Sequence, residues 1–447
     1  MEAGPFRTRQ MDTSELRIVE STDRDAVREL LSPQRVRDAE TDRRVAEIVA
    51  DVRQGGDRAL LRYAKTFDGL DGEAEISRKE MAAAARRVPA SVRGALRRAA
   101  TNIRAVAKRQ VPRGWTARVG RGIAVEQRIV ALDRVGCYVP GGRYPLPSSL
   151  LMTAVPAVAA GVHDVIAVCP RPEPVVMAAA LEAGVSRMFR LGGAHAIAAL
   201  AYGTESVPRV DKIVGPGNRY VAAAKALVAS DCGIDFYAGP TEILVVASKG
   251  DAGWLAADLI AQAEHDPDAR AVLVTPSRAL ASRVAQEIEA QMPADGPARE
   301  SLATHGGIIV TASVREAMEL ANDAAPEHLV VDDERLAKQV KSAGSVFVGA
   351  WSAQVAGDYA IGSNHVLPTA GAARVRGGLS ASDFVRQITV QRLTSKGLKG
   401  IAPSVVALAR AEGLEGHARS IEIRFSDRKG SRVRGAGSAK RTRFRNS

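Results

Sequence analysis

The chain has 447 residues, 46% hydrophobic and 25% charged, with a formal net charge of +12. That balance is globular, and the length exceeds the roughly 250–300 residues at which one core stops growing, so two or more domains are expected. No run of about 18 apolar residues is present to cross a membrane. The opening "MEAGPFRTRQMDTSEL" lacks the apolar centre of a secretory signal, and the three scattered cysteines (Cys137, Cys169, Cys232) fit neither a disulfide framework nor a cysteine zinc site. The expected location is the cytoplasm.

The positive charge is concentrated at one end. Residues 428–447 hold eight Arg or Lys and no acid, which leaves +4 on the remainder. This tail is expected to be a disordered, solvated basic arm. With only 4% aromatic residues and no recognised nucleic-acid fold, the body is not expected to bind nucleic acid.

In chain order, residues 1–15 read as a flexible extension. Residues 16–110 read as a mainly helical segment, with Arg-rich faces alternating with Ala/Leu/Val faces in stretches such as "RRVAEIVADVRQGGDRALLRYAKTF". The texture then changes. Strand candidates "DVIAVC", "RMFRLGG" and "VDKIVGPG" alternate with apolar helices over 111–240. A second series, "EILVVAS", "AVLVTPS", "GGIIVTA", "HLVVDD" and "GSVFVG", does so over 241–380. Strands alternating with helices imply parallel sheets covered on both faces, so the fold class is α/β with two Rossmann-like lobes. The stretch 350–380 reads as a long Gly-rich loop of the kind that is usually functional. Residues 381–427 form a helical C-terminal segment, and 428–447 the tail.

Ligands of open α/β sheets bind at the carboxyl ends of strands. "VGPGN" (214–218) occupies such a position and opens a helix, where backbone N–H groups suit a phosphate; a plain tight turn is the competing reading. Four of the seven histidines sit among polar partners: His265, His328, His365 and His417. Gln262 and His265, in "AQAEHD", are three apart on an apolar helix and would share one face. They read either as a polar helix end or as half of a metal site, with Asp358 and His417 as further oxygen and nitrogen donors suited to zinc. In "PEHL", Glu327 adjoins His328. On a loop both side chains could reach one cavity as an acid/base pair; a solvated loop is the alternative.

Six stretches in order, "VDKIVGPGNRYVAAAK", "AGPTEILVVA", "DLIAQAEHD", "APEHL", "GDYAIGSNHVLPT" and "AEGLEGHARSIEIR", together resemble the histidinol dehydrogenases, and the resemblance runs from about residue 16 to 425. It implies a zinc- and NAD-dependent oxidation of L-histidinol to L-histidine through the aldehyde, using two NAD molecules, late in histidine biosynthesis. By motif match it implies zinc ligands Gln262, His265, Asp358 and His417, one ion per subunit, and an acid/base pair Glu327 and His328. The same match implies substrate positions Thr241, Gln262, His265, His328, Asp358, His365, Glu412 and His417. Tyr138, His195 and Asn218 would face NAD. It further implies a homodimer whose C-terminal segment crosses over, so that His417 completes the partner's site.

Three features depart from the family pattern. Gln354 stands where many members carry Glu, "GGAH" with His195 replaces "GGAQ", and the basic tail is extra. Gln354 leaves room for a relative acting on another small polar alcohol.

Overall fold

The computed structural model describes residues 16–32, 38–142, 144–237 and 239–426. The expected extension 1–15 and the tail 428–447 lie outside the described residues. The described residues group into two compact units, one of those up to 112 with those of 130–386 and one of 113–129 with 387–426.

The larger unit holds two six-stranded sheets, as two series of β/α alternation require. In the first lobe the strands run in the order Glu75–Ile76, Arg187–Phe189, Asp164–Val168, Arg134–Tyr138, Lys212–Val214 and Gly233–Ile234. All of its pairings are parallel except that of the edge strand Glu75–Ile76. The second lobe is wholly parallel, in the order Ile18–Glu20, Gly307–Val310, Arg270–Thr275, Glu242–Val246, His328–Val331 and Ser345–Val348.

The period-2 rule for strands is visible in how the cores divide. Val165 and Ala167 pack on one side of the first sheet with Leu150, Met152 and Ala179. Ile166 and Val168 pack on the other with Val49, Ile197 and Val221. In the second sheet Ile243 and Val245 join Leu259, Leu273 and Val284, while Leu244 and Val246 join Leu30, Met318 and Leu336. Burial on both faces explains why these strands read as continuous apolar runs.

The N-terminal segment is divided between the lobes. Strand Ile18–Glu20 pairs with Gly307–Val310 and helix Arg24–Leu31 puts Val27 and Leu30 into the second lobe's core. Helix Ala39–Tyr63 packs Val45, Val49 and Val52 against the first lobe. Strands of two and three residues are too short to show an alternating pattern, so the sequence reads only the helices here.

The stretch 350–380 is not one loop. Helix Gln354–Tyr359 and a 3-10 turn Ala372–Arg374 interrupt it, and it is tied to both lobes. Asn102 Nδ2 donates to Ala360 O at 2.7 Å, Asn364 Nδ2 to Met152 O at 2.7 Å, and Ala370 N to Glu242 Oε1 at 3.0 Å.

The smaller unit contains a three-stranded sheet in the order Val385–Leu393, Ile123–Ala131, Trp115–Gly120, followed by helices Ser395–Ala411 and Glu415–Glu422. Thr394 caps the first of these helices, its Oγ1 accepting from Gly397 N at 3.1 Å. Among the described residues no helix is long and apolar enough to cross a membrane.

Candidate active site

The second sheet builds a polar cluster at one end of its central strands. Thr241 immediately precedes strand Glu242–Val246 and Glu327 precedes strand His328–Val331; the two strands are neighbours, with Ile243 opposite His328. Strand register therefore brings together two motifs 86 residues apart. Thr241 Oγ1 donates to Glu327 Oε2 at 2.6 Å, and Glu242 N donates to the same oxygen at 2.8 Å. Two donors on one oxygen hold Glu327 as a carboxylate acceptor, while burial pushes its carboxyl well above the usual range.

His328 is 4% exposed. Its Nδ1 lies 3.2 Å from Glu242 O. A carbonyl only accepts, so Nδ1 carries the hydrogen and Nε2 is the basic nitrogen. Nε2 faces Asp358 Oδ1 at 3.9 Å. Burial pulls the imidazole down to about 4, so it is neutral at physiological pH and able to accept a proton. "PEHL" follows the end of helix Val314–Ala324 but is a buried strand start, not a solvated loop.

Gln262 lies in the last turn of helix Ala252–Ala263 and is fully buried. Its Nε2 donates to Thr241 Oγ1 at 2.6 Å. The orientation of the amide follows from hydrogen-bond accounting. The single hydroxyl hydrogen of Thr241 goes to Glu327, so the hydroxyl oxygen must receive a donor from Gln262. Gln262 Oε1 is then left buried and without a hydrogen-bond partner, a cost of about 1–3 kcal/mol unless some other group takes it.

His265 lies past the helix, not on its face. The helix ends at Ala263 with Glu264 as C-cap, and His265 stands in the following turn, its N–H donating to Gln262 O at 3.3 Å. The terminal carbonyls of any helix lack partners inside it, and this turn supplies one. His265 is exposed there, near enough to the cluster to contribute to the lowering of both His328 and His365.

Asp358, on helix Gln354–Tyr359, accepts from Gln354 Nε2 at 2.9 Å through Oδ2. Its Oδ1 is 3.7 Å from His365 Nδ1, which itself sits 3.1 Å from Asp358 O. Gln354 also keeps a buried, unpartnered Oε1. Gln262, Thr241, Glu327, His328, Asp358 and His365 thus converge, with His265 beside them. Glu412 and His417 belong to the smaller unit, where Glu412 caps helix Ser395–Ala411 and His417 lies on helix Glu415–Glu422, both exposed. Among the described residues, no three His, Cys, Asp or Glu side chains of the chain form a metal-binding group by themselves.

At the carboxyl ends of the first lobe's strands stand the other three singled-out residues. Tyr138 ends strand Arg134–Tyr138, and its hydroxyl accepts from Gly193 N at 3.1 Å; burial pushes that hydroxyl up, so it stays protonated. His195, in the first turn of helix Gly193–Tyr202, holds Asp68 Oδ2 at 2.8 Å through Nε2, and Asp68 Oδ2 also accepts from Gly192 N at 2.9 Å. Asn218 caps helix Arg219–Val228, its Oδ1 accepting from Tyr220 N and Val221 N.

The family model for histidinol dehydrogenase matches residues 32–425. The chain belongs to the histidinol dehydrogenase family. Among similar proteins, the histidinol dehydrogenase of Methanothermobacter thermautotrophicus is 44% identical over 397 residues, covering 86% of this chain and 93% of that one. That of Acinetobacter baylyi is 43% identical, covering 89% and 96%. The crystal structure of histidinol dehydrogenase from Elizabethkingia anophelis superposes with a TM-score of 0.86 at 32% identity, over 92% of this chain and 98% of that one. This family member is an oxidoreductase with the α/β architecture expected from its sequence.

Sequence reasoning missed Gln354's contact with Asp358, the Glu242–Arg270 ion pair (3.3 Å) beside Glu327, and Asp68 beneath His195. The first two lay inside or next to quoted motifs. Asp68 is 127 residues from His195, and only the fold joins them.

Proposed function

We propose that the protein oxidises L-histidinol through L-histidinal to L-histidine, consuming two NAD molecules, in the last steps of histidine biosynthesis. Its site would hold one zinc ion per subunit through Gln262, His265 and Asp358 together with His417 of the partner subunit in a homodimer. The observation that carries this reading is the buried, unpartnered Gln262 Oε1, whose direction is fixed by Thr241 and Glu327. An amide oxygen, a carboxylate and imidazoles form an oxygen/nitrogen set that fits zinc.

When bound, zinc would hold and orient the amino alcohol and NAD would take up hydride. The chain's own residues do the rest. His328 accepts the hydroxyl proton at Nε2, since Nδ1–H is committed to Glu242 O. Glu327 keeps Oε2 on Thr241 and Glu242, leaving Oε1 to take a proton from the water that adds to the aldehyde. Burial strengthens Glu327 as a base relative to an exposed carboxylate and keeps His328 neutral, with Nε2 free to accept. Thr241, His365 and the partner subunit's Glu412 would position the substrate, and Tyr138, His195 and Asn218 would line the NAD site. A substrate enclosed between subunits keeps the reactive aldehyde from escaping.

The test is chelation. Metal-free protein should lose L-histidinol-dependent NAD reduction and regain it with zinc; activity indifferent to chelation, or absent with zinc restored, refutes the reading.

A second reading rests on Gln354, 1% exposed and neutral beside Asp358. It makes the protein a zinc/NAD dehydrogenase of another small polar alcohol. In that case another alcohol should outcompete L-histidinol in the wild type, and Gln354→Glu should shift preference toward L-histidinol.

A further inference from the structure

The turn Gly215–Asn218 sits where the first lobe's sheet runs out of partners. Strand Lys212–Val214 is flanked on one side by Gly233–Ile234, and the last ladder bond there is Asp235 N to Ile213 O at 3.2 Å. Beyond it the chain leaves the sheet. Gly215 has φ +115°, and a Cβ there would lie 2.2 Å from Tyr138 O, so no side chain fits. Its peptide groups are buried and would be orphaned by the missing strand, which folded proteins avoid.

Two charged side chains supply the missing partners. Gly215 N donates to Asp235 Oδ2 at 2.7 Å, and Lys225 Nζ donates to Gly215 O at 3.0 Å. Lys225 and Asp235 are also hydrogen-bonded to each other, and Asp235 Oδ1 accepts from Phe236 N at 2.6 Å. They are 2% and 4% exposed. A buried ion pair stands only when its remaining valences are met, and here they are met by the turn itself. The pair also reaches beyond the turn. Lys225 lies on the helix that Asn218 caps. Asp235 opens the connector that reaches Thr241 six residues later, and Arg376 caps Asp235 O while stacking over Phe236 at 4.5 Å.

Building on the NAD assignment above, we propose that Lys225 and Asp235 are positioning residues. They lock the Gly215 peptide, and so set the Gly215–Asn218 turn that receives the nucleotide. Neither residue touches the cofactor. Their loss should act on nucleotide affinity and spare substrate affinity.

The experiment compares wild type with Lys225→Met, Asp235→Asn and the double variant. NADH and L-histidinol dissociation constants are measured by calorimetry, and the KM for NAD is set against kcat. Each single change is expected to raise the NADH dissociation constant about 10-fold or more, the scale of an ångström-sized misplacement, with L-histidinol affinity within about 3-fold. Because the two act as one unit, the double variant should be no worse than the worse single one. Unchanged NADH affinity in a folded variant overturns the proposal. Hydrogen exchange on the wild type provides a test free of folding defects: Gly215 should be protected before nucleotide is added and unchanged by it. Free exchange at Gly215, slowed only by NADH, overturns the preset lock. If wild type binds no NADH, the cofactor assignment itself falls; if wild type binds it and the variants bind it equally, only the positioning role falls.

Discussion

Replacing Thr241 with Val removes a hydroxyl and keeps the shape, which isolates the Gln262–Thr241–Glu327 relay. Two hydrogen bonds disappear, both 2.6 Å long. The bond to the Glu327 carboxylate, as a bond to a charged group, is worth about 1.5–3 kcal/mol. Its loss pushes the Glu327 carboxyl further above a value that burial already elevates. The Gln262 amide, with Nε2 unpaired, loses the contact that aims Oε1. We expect kcat/KM for L-histidinol to fall about 10–100-fold, with Thr241→Ser within about 3-fold of wild type. Initial rates of NADH formation across pH, together with thermal unfolding to show that the variant is folded, provide the assay. A folded Thr241→Val variant with wild-type kcat/KM would refute the relay.

Three further changes probe neighbouring parts of the site. His328→Asn should lower kcat by about 10²–10⁴-fold, the usual weight of a general base, with L-histidinol affinity by calorimetry little changed; a retained kcat removes His328 from the reaction. Gln354→Leu strips Asp358 Oδ2 of its donor and should lower kcat/KM by about 10-fold, whereas an unaffected rate means that the amide does not steady Asp358. Asp258, on helix Ala252–Ala263 one turn before Gln262, has its carboxyl pushed up to about 6 by burial alone. The folded pKa lies above the unfolded value of 3.8, so the native state binds more protons between those two values. Stability is therefore lost as pH rises through that window, and the penalty is complete above it. Asp258 is partly exposed, so solvent screening reduces the effect: Asp258→Asn should stabilise by about 1 kcal/mol at pH 8 and by nothing at pH 4. Denaturant midpoints at the two pH values check this, and equal shifts at both would refute it.

The strands of both lobes were legible because burial on two faces writes itself as unbroken Val/Ile/Leu runs such as "EILVVAS". The edge strands Ile18–Glu20 and Glu75–Ile76 were not, because two or three residues carry no period and their place is set by a partner far along the chain. The histidines and carboxylates of the site were legible as motif residues, but their relations were not. Spacing put Gln262 and His265 on one helix face, whereas the helix stops between them. No spacing rule foretells that the Thr241 hydroxyl dictates which way Gln262 points, since this follows from strand register between Glu242–Val246 and His328–Val331. Lys225 stood inside a quoted motif without a role, because its partner Asp235 matters only once the sheet is seen to end at Gly215.

The most direct measurement is the yield of NADH and of histidine when limiting L-histidinol is consumed to completion by the zinc-loaded protein. Two NADH and one L-histidine per L-histidinol are expected, with no free aldehyde. One NADH with an aldehyde released, or no NADH from L-histidinol while another alcohol is oxidised, would contradict the proposed function.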